Sequence, residues 1–116
     1  MLFNLTKKRV ISARTEKART LFSRARGLMF RRNFIDPILF IFDEEKVQPI
    51  HSLFVFLSFD AVFLDREKRV TEVIREIAPF KPYIAPRKPA KYLIELPAGY
   101  AAKKKIELGD ALDFSE

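Results

Sequence analysis

Residues 60–78 read Asp60-Ala61-Val62-Phe63-Leu64-Asp65-Arg66-Glu67-Lys68-Arg69-Val70-Thr71-Glu72-Val73-Ile74-Arg75-Glu76-Ile77-Ala78, and they decide the fold class. An apolar run enters the polar turn 65–68 and a second segment returns. Val70, Val73, Ile74 and Ile77 match helical spacing, yet Val, Thr and Ile dominate the segment and favour a strand. The short turn settles the choice, because a tight polar connection between two such segments makes an antiparallel hairpin.

Upstream, Ile38-Leu39-Phe40-Ile41-Phe42 is an apolar run that closes at a turn over 43–46. Its length and composition predict a strand buried on both faces. A second apolar stretch, Leu53-Phe54-Val55-Phe56-Leu57, leads through Ser58-Phe59 into the hairpin. Alternating Phe on a strand is what a small β core needs, and the competing reading is a display of rings for base stacking. Downstream, Pro79, Pro82, Pro86 and Pro89 predict an extended surface loop that carries Lys81, Arg87, Lys88 and, at its end, Lys91. Residues 91–96 form a strand stopped by Pro97, a short helix is expected near 100–105, and 111–114 make a last strand.

The N-terminal part predicts two short strands, 2–6 and 9–14, joined through Lys7-Lys8. A helix is expected over 16–26, capped by Thr15 and with Glu16 in its first turn. Ala18, Leu21, Phe22 and Ala25 would form its apolar stripe, flanked by Lys17, Arg19, Arg24 and Arg26. Taken together, the pattern predicts one domain over 1–116. It is mainly β (α+β), a compact barrel or sandwich of short strands with that one amphipathic helix and a short second one.

Composition removes whole classes of chemistry. The 116 residues contain no cysteine, so disulfides, thiol nucleophiles and Cys-based metal sites are excluded. His51 is the only histidine, and three glycines are too few for a phosphate-cradling loop, so no cofactor and no metal are expected. Basic residues follow the apolar opening at 1–5 instead of preceding it, unlike an export signal, and no run reaches the ~18 apolar residues of a membrane helix. A soluble, cytoplasmic chain is the expectation. Few Asn and Gln, with abundant Arg, Lys and Glu, suggest a heat-adapted source.

Charge is the most informative quantity. Residues 1–32 hold ten Lys or Arg against the single acid Glu16, a net +9, whereas the remaining 84 residues carry −2. Such a concentration attracts phosphates or acidic partners. The candidate surface comprises Lys17, Arg19, Arg24, Arg26, Arg31 and Arg32, with Arg87 and Lys88 from the Pro-rich loop. Nucleic acid is the first partner it suggests and an acidic protein the second. The plainer alternative is a solvated face whose charges meet carboxylates elsewhere in the fold.

A competing reading is a small-ligand or hydrolytic pocket built on Arg26, His51, Asp60 and Glu95. Asp60 and Glu95 lie in apolar strands, where a carboxylate is costly unless paired or hydrogen-bonded. Converging on one cleft, they would make an acid/base pair; otherwise each anchors a loop or meets an arginine such as Arg26. Alternation sets Leu93 and Glu95 on the face opposite Tyr92, Ile94 and Leu96, which predicts a solvent or rim position for Glu95. His51 as a general base would need Ser52 or Ser58 and an orienting partner, and the simpler role is a hydrogen-bonded loop histidine.

The order of these pieces resembles the family known as domain of unknown function 192. The segments that carry the likeness are Arg26-Gly27-Leu28-Met29-Phe30, Ile38-Leu39-Phe40-Ile41-Phe42, Ile50-His51-Ser52-Leu53-Phe54 and Phe59-Asp60-Ala61-Val62-Phe63-Leu64-Asp65. Tyr92-Leu93-Ile94-Glu95-Leu96-Pro97-Ala98-Gly99 and Gly109-Asp110 complete the set, over roughly 10–114. The resemblance implies a compact β-barrel-like or sandwich fold with small helices and no established biochemical activity. Phe59 stands where many relatives have Pro before the acid.

Overall fold

The computed structural model describes residues 1–18, 31, 33, 34 and 36–116. The hairpin expected at 60–78 forms as β5 (Phe59–Leu64) and β6 (Val70–Ile77), paired antiparallel. All six residues of β5 are buried, because β5 lies between β6 and β7 (Ala90–Pro97) and is covered on both faces. Next to β7 comes β4 (Ile38–Lys46), and at the edge β3 (Glu16–Ala18), giving the order β3-β4-β7-β5-β6. Every pairing in this sheet is antiparallel except β3 with β4.

A second, three-stranded sheet has the order β2-β1-β8, from β1 (Leu2–Asn4), β2 (Arg9–Ser12) and β8 (Leu112–Asp113). It packs on one face of the large sheet. Leu2, Ile11, Leu112 and Phe114 meet Leu39, Ile41, Val62, Leu64, Tyr92, Ile94 and Leu96 there, together with Ala101 and Ile106. The opposite face of the large sheet carries Ile38, Phe40, Phe42, Phe59, Ala61, Phe63 and Leu93. Val55, Ile50 and Ile84 from two loops, 47–58 and 78–89, close over that second cluster. Each fully buried Leu or Phe of this kind stabilises by about 1.5–3 kcal/mol. Phe59 and Phe63, both inaccessible to solvent, are among the larger contributors.

The fold is therefore mainly β, as the sequence pattern predicts, and built of two sheets. Among the described residues the large sheet stays open at β3 and β6 instead of closing into a barrel. The short second helix is present as α1 (Tyr100–Lys103), entered through Gly99 at φ 89°, a left-handed conformation that suits glycine. The double burial of 38–42 also holds, with successive side chains entering opposite clusters.

Three expectations need correction. Residues 16–18, placed at the start of a helix, form β3: the N–H of Glu16 donates to the Pro37 carbonyl at 2.8 Å, and Ala18 is buried beside Phe40. Pairing with a strand twenty residues away satisfies this backbone, so Thr15 caps no helix there, and 19–26 lie outside the described residues. Second, β4 runs on through 43–46 with an irregular register to pair Lys46 with Ala90, where a turn was expected. Lys91 Nζ donates to the carbonyls of Phe42 and Asp43 at 2.6 and 3.1 Å in that irregular stretch. Third, 53–57 is a loop. Val55 points into the core, while Phe54 and Phe56 are 52% and 53% exposed. The core reading of the Phe residues therefore holds for Phe59 and fails for those two.

Candidate functional site

Asp60 is fully buried and fully used. Its Oδ1 accepts the N–H of Glu76 at 2.8 Å, and its Oδ2 accepts that of Ala101 at 2.9 Å. The first bond holds an irregularity in β6, where Glu76 has φ 53°. The second fixes α1 on the sheet. Two backbone donors offset the cost of a carboxylate placed among Leu96 and Ala101.

Glu95 lies on the other face. It pairs with Ile38 on one side and Ala61 on the other, both members of the second cluster, whereas Asp60 pairs with Leu96 of the first. The strands thus point the two carboxyl groups to opposite sides of one sheet. Alternation along β7 is as the sequence implies, but Glu95 is buried at 6% exposure, not on a rim, because loops and β3 cover that face too. Burial pushes its carboxyl up to about 8, and the Arg31 guanidinium pulls it only part of the way back. Its Oε1 has no hydrogen-bond partner among the described residues, nor have Arg31 Nε and Thr15 Oγ1. Arg31 gives its other nitrogens to Glu16, with Nη1–Oε2 at 2.5 Å and Nη2–Oε1 at 2.9 Å.

His51 is exposed, and its Nδ1 accepts the N–H of Leu53 at 3.1 Å. Ser52 is buried instead. Its Oγ donates to the Ala78 carbonyl at 2.7 Å and accepts the Lys81 N–H at 2.6 Å, so the hydroxyl is committed to joining two loops. Further main-chain bonds run between the same loops: Ser52 N to Lys81 O, Phe80 N to Ser52 O, and a reciprocal pair between Ile50 and Ile84 at 2.7 and 2.8 Å.

This fastening brings together two features that the sequence offers separately, the rings of 53–59 and the basic Pro-rich loop; their meeting is what the sequence reading missed. Phe56 and Phe80 meet edge to face with ring centroids 5.7 Å apart, each more than half exposed, and Tyr83 is 70% exposed nearby in the chain. Lys81, Arg87 and Lys88 stand on the same loop, exposed and in no ion pair among the described residues. Neither 47–59 nor 78–89 contains an Asp or Glu. Glu72 reaches the loop with Oε1, which accepts the Arg87 backbone N–H at 3.2 Å. A Pro-punctuated loop with bulky aromatics between the prolines was the available signal.

Of the expected cationic surface, Lys17, Arg31, Arg87 and Lys88 lie among the described residues. Arg31 is paired with Glu16, and Lys17 Nζ contacts Ser115 Oγ at 3.3 Å. Lys7 bonds Asp110 and Glu107, each at 2.7 Å. Lys8 and Arg9 lie with the small sheet over one face, whereas the 78–89 loop lies over the other. Arg19, Arg24, Arg26 and Arg32 are outside the described residues, so the placement of Arg26 beside Asp60 or Glu95 is too. Among the described residues no group of three or more His, Asp or Glu is arranged to hold a metal ion, and no helix is long and apolar enough to cross a membrane.

A two-sheet β protein with a buried structural carboxylate on one face and an aromatic, cationic loop pair over the other is the class defined here. Residues 3–114 match the family DUF192, described as uncharacterized ACR, and the chain belongs to it. It is 36% identical to a UPF0127 protein of Thermococcus sibiricus, covering 98% of this chain and 74% of that one. Identity to the UPF0127 protein PYRAB11210 of Pyrococcus abyssi is 34%, over 98% and 97% of the two chains. Among solved structures, a protein of Sinorhizobium meliloti 1021 described as a "putative transcription regulator" superposes with a TM-score of 0.88. It is 25% identical, over 97% of this chain and 88% of that chain. A protein of unknown function from Novosphingobium aromaticivorans shares the fold at a TM-score of 0.82 and 24% identity, over 87% and 74% of the chains.

Proposed function

We propose that this protein is a non-enzymatic binding domain for an anionic partner, nucleic acid ahead of an acidic protein. The observation that carries the reading is the 78–89 loop: Lys81, Arg87 and Lys88 are exposed, none is in an ion pair among the described residues, and the loop contains no acid. Unquenched charges held on a loop fastened to the core are an electrostatic footprint for phosphate or carboxylate groups. The basic N-terminal third adds longer-range attraction, with Lys8 and Arg14 exposed. Likeness of fold to the Sinorhizobium meliloti protein described as a "putative transcription regulator" favours nucleic acid.

The pocket reading draws less support. Asp60 and Glu95 face opposite sides of the sheet, and the Ser52 hydroxyl is committed to Ala78 and Lys81. Elution from heparin against a salt gradient tests the proposal. Strong retention is expected, with earlier elution of a Lys81→Gln/Arg87→Gln/Lys88→Gln variant; elution of the unaltered protein at low salt counts against it. Replacing Arg19, Arg24, Arg26, Arg31 and Arg32 by Gln measures the share of the N-terminal third.

A further inference from the structure

We propose that the face made by loops 47–58 and 78–89 binds single-stranded nucleic acid, its rings stacking on unpaired bases beside cations that hold the phosphates. This inference rests on the anionic-partner reading above and adds the identity of the partner. Exposed apolar residues scattered singly are ordinary on a protein surface, but here Phe56 and Phe80 meet across two loops with centroids 5.7 Å apart, and Tyr83 follows three residues on. Phe54, Phe56 and Phe80 are each a little over half exposed and Tyr83 is 70% exposed. The core beneath is already closed by Val55, Ile50 and Ile84, so the rings stand outside it.

The backbone holds them there at a cost. Phe54 has φ 60° and Phe80 φ 63°, a left-handed region that bulky side chains rarely adopt. Strain of this kind persists where surrounding structure enforces it, and it gathers at ligand-binding loops. At Phe80 the enforcement is visible: its N–H is bonded to the Ser52 carbonyl at 2.7 Å, and the next N–H, that of Lys81, to Ser52 Oγ at 2.6 Å.

Ring and charge alternate along Phe80-Lys81-Pro82-Tyr83, and Arg87 and Lys88 extend the charge. A single strand alternates in the same way, with a base to stack and a phosphate to neutralise at each step. Duplex conceals its base faces, and an acidic protein would use the cations while gaining little from the rings. Both therefore fit this surface less well than unpaired bases do.

The test uses the full chain and a short fluorescein-labelled oligo(dT), followed by anisotropy at several salt concentrations. Heparin, a duplex of matched length, polyglutamate and phosphatidylserine vesicles serve as competitors. A ring-removal variant, Phe80→Asn/Tyr83→Ser, is expected to weaken oligo(dT) binding about tenfold or more while its heparin elution stays unchanged. Asn tolerates the left-handed backbone at position 80. Should thermal unfolding of that variant shift, Tyr83→Ser alone carries the comparison, with a loss of several-fold expected. The variant lacking Lys81, Arg87 and Lys88 is expected to weaken both interactions and to reduce the salt slope by about 2. Oligo(dT) affinity unaltered by ring removal overturns this inference and leaves the anionic-partner reading standing. Tighter binding of vesicles, polyglutamate or duplex than of oligo(dT) also overturns it. Absence of heparin retention by the unaltered protein removes both.

Discussion

The N–H of Ala101 donates to Oδ2 of Asp60 at 2.9 Å across 41 positions of chain, and this bond seats α1 on β5. With Glu76 bonded to the second oxygen, neither side of the carboxylate is spare. Asp60→Asn keeps one acceptor and turns an NH2 group toward a buried N–H. A loss of about 3 kcal/mol in urea unfolding is expected, from one charge-assisted bond and one stranded donor. An Asn variant as stable as the parent would show that the carboxylate is not required for the fold.

Asp110 is expected to govern the acid limit of stability. Its Oδ2 accepts from Asn4 Nδ2 at 2.9 Å, Lys7 Nζ at 2.7 Å and the Glu107 N–H at 3.0 Å. Burial raises its pKa, but these bonds outweigh burial and hold it below the ordinary value. The stabilisation is therefore complete above the unfolded value, about 3.9, and is lost as pH falls through the lower folded value. Asp110→Asn should be less stable than the parent at pH 7, the gap closing as the solution is acidified below about 4. Thermal unfolding across that range measures it; a constant gap would contradict the linkage.

Glu95 has the opposite sign. Its folded value of about 8 lies above the unfolded one, so the native state holds a proton that the unfolded chain releases. Stability should fall as pH rises from about 4.5 to 8 and then level off. Glu95→Gln removes that slope and should be more stable than the parent at pH 8.5 by up to several kcal/mol, with little difference at pH 4. Urea midpoints at the two pH values decide it, and equal gains at both would refute the assignment.

Ser52→Ala should cost about 1–3 kcal/mol, because it strands the Lys81 N–H and removes the bond to Ala78. Amide exchange at Phe80 and Lys81 is expected to accelerate. His51→Ala, which removes only an exposed contact to Leu53, should leave both quantities nearly unchanged. Equal effects from the two substitutions would show that the loops are not joined through Ser52.

What could be read from the sequence was local. The 60–78 hairpin, the doubly buried 38–42 run and the strand ending at Pro97 each carry their pattern within a few residues. Residues 16–18 do not, because their strand character comes from pairing with β4 across an intervening stretch of chain. At 53–57 an alternating pattern was visible and its inward face misassigned: Val55 is the buried member and the Phe side chains point outward. Glu95 was set on the correct side of β7, but alternation alone does not reveal that both sides are covered. The grouping of Asn4, Lys7 and Asp110 spans 106 positions and left no trace in spacing.

Because Phe3 and Asn4 pair with Asp113 and Leu112, one edge of β1 finds its strand only after more than a hundred further residues have been synthesised. A chain leaving the ribosome can form the β1–β2 ribbon at once, but closure by β8 waits until Leu112 and Asp113 have been made. Until then that edge is an open template for the backbone of another nascent chain. Premature termination just short of residue 112 should therefore yield a species prone to intermolecular pairing, whose vulnerable edge is its first strand.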